Sequence, residues 1–191
     1  MDRITFDIFE PDGKKFRLTP NLIFLFFWFV PILLTGLFES FISNISLLSE
    51  AFTVYIGIGG IGIICCLAAS HFLHEPLKGK ITGKIEFGNN FIRVNDDHFD
   101  LKNITGLELS LSDYYDRRPQ LGGTLNPNLS QGVANQVTFR YKSNQTHVIH
   151  FRLMGKHSYL SLSGFINEAV KMGKISAYEA EDLIGKENIV Q

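Results

Sequence analysis

Two long stretches without a charged residue constrain this chain more than anything else in it. Asn21 to Phe38 (NLIFLFFWFVPILLTGLF) and Ala51 to Leu73 (AFTVYIGIGGIGIICCLAASHFL) contain no Asp, Glu, Lys or Arg. At about 1.5 Å of rise per residue, each approaches or exceeds a hydrocarbon core of roughly 30 Å. The first holds thirteen Leu, Ile, Phe or Val residues, each worth roughly −0.3 to −0.6 kcal/mol near the bilayer centre, so insertion is favoured. Buried apolar runs in soluble proteins are shorter, about 10 to 14 residues. The sequence therefore predicts a transmembrane hairpin over 20–75, with spans at about 21–38 and 51–73 and a short polar loop, Glu39 to Glu50. A cleaved leader does not fit, because nineteen residues of mixed charge precede the start of the hairpin at Pro20 and no small-residue cleavage motif follows the first run.

The flanking charges predict an orientation. Lys14, Lys15 and Arg17 precede the first span, Lys78, Lys80 and Lys84 follow the second, and the loop between has no Lys or Arg. The positive-inside rule puts both termini in the cytoplasm of a multi-pass inner-membrane protein. In the second span Gly59, Gly62, Cys66 and Ala69 recur at helical 3-4-3 spacing, giving a narrow face on which a neighbouring backbone can approach. The expected neighbour is the first span, with Phe24, Phe27 and Trp28 filling the groove and Pro31 bending it; self-association is the alternative. Neither span carries a charge or a continuous polar stripe, which argues against a pore. His71 and His74 share a face at the boundary but no carboxylate or cysteine completes a metal site. Cys65 and Cys66 are the only cysteines, so no disulfide framework exists.

Outside the hairpin the period changes to two. RITFDIF and KKFRL bracket Glu10-Pro11-Asp12-Gly13, which predicts an N-terminal β-hairpin over 1–19 that docks on the later domain to cover its apolar face. From 79 to 175, strands are expected at Ile81 to Phe87, around FIRV and FDL, at Leu107 to Leu111, at Val137 to Tyr141 and at Ile149 to Leu153. An irregular segment, Asp113 to Gln136, divides them and is long for an ordinary connection. Leu162, Phe165, Ile166, Ala169 and Val170 then mark one face of a helix that stops at Gly173. Ser176 and Glu179 have capping-box spacing at the start of a short helix in the 176–191 tail. Strands first and a closing helix last make an α+β domain.

This arrangement, over roughly Lys80 to Gly173 and above all the stretch KITGKIEFGNNFIRV…FDLKNITGLELSL, resembles a bacterial pleckstrin-homology-like (PH-like) domain that follows a pair of transmembrane helices. The resemblance implies a bent antiparallel sheet capped at one open end by the helix. It also implies a scaffold or binding module rather than an enzyme. Lipid-binding members of the wider family place Lys and Arg around the first strand-to-strand turn; here that turn is Gly88-Asn89-Asn90, so specific phosphoinositide binding is not expected.

The most site-like cluster is Tyr114, Tyr115, Asp116, Arg117 and Arg118, because aromatic bodies with charged tips are enriched in binding hot spots. No nucleophile elbow, phosphate-binding loop, zinc-protease motif or dinucleotide fingerprint occurs, and no cofactor is implied. With a net charge of −1, nucleic acid is not an expected partner. The expected function is a non-enzymatic membrane protein presenting its cytoplasmic domain to a protein partner or to further copies of itself. A channel or transporter subunit, and an enzyme with its site in the 113–136 loop, are the alternatives.

Overall fold

A computed structural model describes residues 3–13, 20–37, 46–118, 127–142 and 145–189. The chain divides into two compact units. One comprises Met1–Gly13, Leu77–Arg117 and Ser130–Gln191, the other Lys14–Pro76 and Arg118–Leu129.

The first unit is a seven-stranded sheet with helices at its C-terminal end. Its strands are β1 Ile4–Pro11, β2 Gly79–Gly88, β3 Phe91–Val94, β4 Asp97–Asp100, β5 Ile104–Ser110, β6 Asn135–Tyr141 and β7 Gln145–Arg152. Every neighbouring pair is antiparallel, in the order β4-β3-β2-β1-β7-β6-β5.

The N-terminal segment departs from the expected two-stranded ribbon. Its first strand lies at the centre of the sheet, paired with β2 from Ile4–Phe87 to Pro11–Gly79 and with β7 through Asp7, Ile8 and Phe9. Parity explains this: Phe6 and Ile8 point into the core, while Phe9, of the other parity, is buried against Gly79, where a β-carbon would come within 2.6 Å of its ring. Pro11 ends the strand instead of opening a turn, at a place where its missing N–H interrupts little of the ladder. The proposed return strand, 14–18, lies outside the described residues.

The sheet curls. In a flat sheet, β4 and β6 would be five strand spacings apart, about 24 Å at roughly 4.8 Å each. Yet the Phe99 ring of β4 is 5.1 Å from the rings of Phe139 and Tyr141 on β6. Only the 3-10 turn Leu101–Asn103 separates β4 from β5, the two outermost strands. The interior is filled by aromatic rings: Phe87 meets Phe6 at 6.0 Å, Phe151 at 5.6 Å and Phe165 at 5.1 Å. Phe165 comes from helix α3, Ser163–Lys171, whose Ile166 and Ala169 are also fully buried. Helix α4, Ala177–Ile184, starts at the expected capping box and sends Ala180 and Ile184 into the same core, so the 176–191 segment packs as part of this unit.

The second unit contains α1, Pro20–Leu37, and α2, Ser46–Ser70. These match the two apolar runs, although α2 starts five residues earlier and stops three earlier than expected. Among the described residues one helix, Thr53–Ser70, is long and apolar enough to cross a membrane, with a mean hydropathy of 1.9 and 11% of its residues buried. Gly59 is buried because the Trp28 indole lies on it: a β-carbon there would sit 1.6 Å from Trp28 Nε1. One turn away, the Tyr55 hydroxyl donates to the Phe27 carbonyl. Gly62 and Cys66 are half-buried, whereas Ala69 is exposed. Counted antiparallel from the Trp28–Gly59 contact, Ala69 falls opposite a position before Pro20, which lies outside the described residues. The Phe24 side chain and the loop 38–45 lie outside the described residues.

Candidate functional site

The connection from β5 to β6 is where the sequence placed its interaction cluster, and both of its feet are tightly built. Asp113, only 8% exposed, accepts from the Ser130 hydroxyl at 2.7 Å and from the Ala134 N–H at 3.2 Å through one carboxylate oxygen. Its own N–H donates to Asn135 Oδ1 at 3.0 Å, and the Asn135 amide donates to the Gly132 carbonyl at 2.9 Å. A buried carboxylate is tolerated only when it is hydrogen-bonded in this way. Gly132 is required at its position: φ is +72°, and a β-carbon would come within 2.3 Å of the Leu153 carbonyl oxygen and 2.5 Å of the Tyr115 nitrogen.

The same geometry fixes Tyr115. Its N–H donates to the Leu153 carbonyl at 2.8 Å, and the Arg152 guanidinium lies 4.9 Å from its ring centroid. Arg152 also donates to the Gln131 carbonyl at 2.9 Å and to Gln131 Oε1 at 3.2 Å. Arg152 thus bridges the two feet of the loop. Asp116 adopts φ +67°, and its N–H donates to the Ser130 carbonyl at 3.1 Å.

Beside these feet lies a pocket of about 250 Å³. Leu111, Ser112, Asp113, Tyr114 and Arg117 form one wall, and Leu153, Gly155, Lys156 and Tyr159 the other. Of the five residues singled out from sequence, Tyr114 and Arg117 line it. The backbone N–H groups of Tyr115 and Asp116 are tied to Leu153 and Ser130, and Tyr115, Asp116 and Arg118 do not line the pocket. The arrangement offers aromatic surface and two cationic tips. Its buried carboxylate and the Ser130 hydroxyl are committed to each other, and that hydroxyl also accepts from the Gly132 N–H at 3.0 Å.

The distal part of the connection belongs to the other unit. There the Asn128 N–H donates to the carbonyls of Ser70 and Leu73, at 3.0 and 3.1 Å, and the Leu129 N–H to that of Leu73 at 3.1 Å. The Glu75 N–H donates back to the Leu129 carbonyl at 2.8 Å. The last turn of a helix leaves carbonyls without intrahelical partners, and this segment supplies the donors for the C-terminal end of α2. Asn128 itself is buried. Gly122-Gly123 and Asn126 lie outside the described residues.

Sequence reasoning missed Asp113, Ser130, Gly132 and Asn135 as a set, and Arg152 as the bridge. A Ser-x-Gly turn three residues ahead of an Asn at a strand start is a usable signal, but the acid it pairs with is seventeen residues away in sequence. Among the described residues no group of three His, Cys, Asp or Glu can hold a metal ion. The chain matches no family model, no curated protein and no solved structure.

Proposed function

We propose that the chain is an inner-membrane protein whose two apolar helices cross the bilayer as a hairpin, presenting a PH-like domain on the cytoplasmic side for protein contact or assembly. One observation carries this reading. β1 precedes both helices and is paired along its length with β2, which follows them; the Asp12 N–H still reaches the Lys78 carbonyl at 3.1 Å. A chain that leaves the sheet at Pro11 and returns beside it at Gly79 makes an even number of membrane crossings.

Zero crossings is the costly choice. Ile58, Ile61 and Ile64 of α2 are 64%, 65% and 68% exposed, and burial of such a side chain is worth about 1.5–3 kcal/mol each. Lipid supplies that burial. Thr53–Ser70, at eighteen residues, gives about 27 Å of apolar length, and α1 matches it with eighteen residues and no charge. The basic residues on both flanks support a cytoplasmic domain.

The curled antiparallel sheet with C-terminal helices is compatible with a PH-like fold, a scaffold that works by presenting surfaces. The pocket beside the loop feet offers Tyr114, Tyr159 and Arg117, side-chain types enriched in binding hot spots. The experiment is in-membrane cross-linking through the exposed Arg117 and Lys156 region, followed by identification of the products. Recovery of a foreign protein supports the module; a ladder of copies of this chain alone, of fixed size, supports a channel subunit instead.

A further inference from the structure

The open edge of β5 faces a groove that none of the contacts above occupies. Among the described residues β5 is the last strand of the sheet, and one of its edges has no strand partner there. The start of that edge is closed by Lys174, whose ammonium donates to the carbonyls of Lys102 and Ile104 at 3.0 and 2.8 Å. The same bond fixes the direction of the backbone. With the Ile104 carbonyl turned outward, Thr105 faces β6 opposite Arg140; beyond the bulge Glu108 faces β6 opposite Thr138, and the Leu109 peptide groups turn outward again.

Next to this outward-facing stretch is a groove of about 270 Å³ between β5 and α4. Its floor is apolar, from Leu107, Leu109, Ile175 and Leu183, and its rim is acidic, from Glu108, Glu179 and Asp182. Among the described residues none of these three carboxylates has a cationic partner. Glu179 is held ionised by the Ser176 N–H, which lowers its pKa, and then by the Ser176 hydroxyl, both at 2.9 Å. An acidic rim repels anionic lipid headgroups and nucleic acid. It attracts Lys and Arg.

We propose that this groove takes a short extended segment of a protein partner, rich in Lys or Arg and carrying an apolar anchor, which adds to the open edge of β5 as an eighth strand. Main-chain hydrogen bonds to the Leu109 peptide groups hold the segment, its anchor enters between Leu109 and Leu183, and its basic residues meet the rim. The proposal names the partner class for the interaction module put forward above and rests on that reading.

The test uses the full chain in detergent micelles, titrated with a fluorescein-labelled peptide of alternating Lys and Val with one central Leu. Two controls accompany it: the same peptide with Glu for Lys, and one N-methylated at alternate peptide nitrogens, which keeps the side chains but cannot pair as a strand. The basic peptide is expected to bind in a salt-dependent way and to slow amide hydrogen exchange within 104–110. The double variant Glu108→Lys with Asp182→Lys, both exposed positions, is expected to weaken binding about tenfold or more. N-methylation should weaken it similarly. Equal binding of the Glu peptide, unchanged affinity in the double variant, or no binding at millimolar peptide overturns the proposal. So does self-association through β5 without peptide binding, which makes a second copy the occupant. Protection confined to another segment overturns the groove and leaves the interaction-module reading standing.

Discussion

Removing residues 1–13 takes the centre out of the sheet. Phe6, Ile8 and Phe9 are all buried, and at about 1.5–3 kcal/mol per buried large apolar side chain their loss costs about 5–9 kcal/mol. A domain of this size has about 5–15 kcal/mol of stability in all. The deletion also leaves β2 and β7 as unpaired edges on either side of an empty slot, which invites aggregation. The comparison needs two soluble proteins: 77–191 alone, and 1–13 joined to 77–191 through a short Gly/Ser linker. Because Asp12 and Lys78 are hydrogen-bonded neighbours, the linker has little distance to cover. The joined protein should melt cooperatively, monitored by near-ultraviolet circular dichroism. The protein without β1 should show no cooperative transition, or one lower by about 20 °C or more. If 77–191 alone melts within a few degrees of the joined protein and as steeply, β1 is not the centre of the sheet and the reasoning fails.

Three further outcomes follow from particular contacts. Gly59→Leu should disrupt the helical hairpin, since even a β-carbon meets the Trp28 indole, while Gly57→Leu, with nothing within 4 Å, should be tolerated; detergent-resistant folding of the two variants, with Gly62→Leu expected to fall between them, reads this out. Asp113→Ala strands the Ser130 hydroxyl and the Ala134 N–H and should cost about 1–3 kcal/mol in chemical denaturation, with the loop feet becoming protease-sensitive. Because the Ser176 N–H and hydroxyl hold the Glu179 carboxyl below its ordinary value, its contribution is complete above the unfolded pKa of about 4.3 and is lost as pH falls through the lower folded one. Melting curves of Glu179→Gln should therefore be less sensitive to pH than those of the parent below about pH 4.

What was legible in the sequence is what short-range pattern determines. Alternation located most strands, 3.6-residue periodicity located α3, and Ser176 with Glu179 announced the cap of α4. The apolar runs gave α1 and α2 to within a few residues. The place of β1 was not legible, because a strand of eight residues carries no label for partners that lie some seventy and more residues downstream. The parity of Ile4, Phe6 and Ile8 said only that a face needed cover. Likewise Tyr114 and Arg117 were found by composition, but their separation from Tyr115 and Asp116 depends on φ at Asp116, on Gly132 and Asn135 at the entry to β6, and on Arg152 at the end of β7.

An even number of crossings between β1 and β2 is what a membrane hairpin returning to one sheet requires. Topology reporters fused before Ile4, after Gln191 and within the segment between α1 and α2 measure it directly in intact cells. Both terminal fusions should report cytoplasm and the internal one the opposite face. Termini on opposite faces, or an internal fusion that reports cytoplasm, would contradict a membrane hairpin whose two ends return to a single sheet.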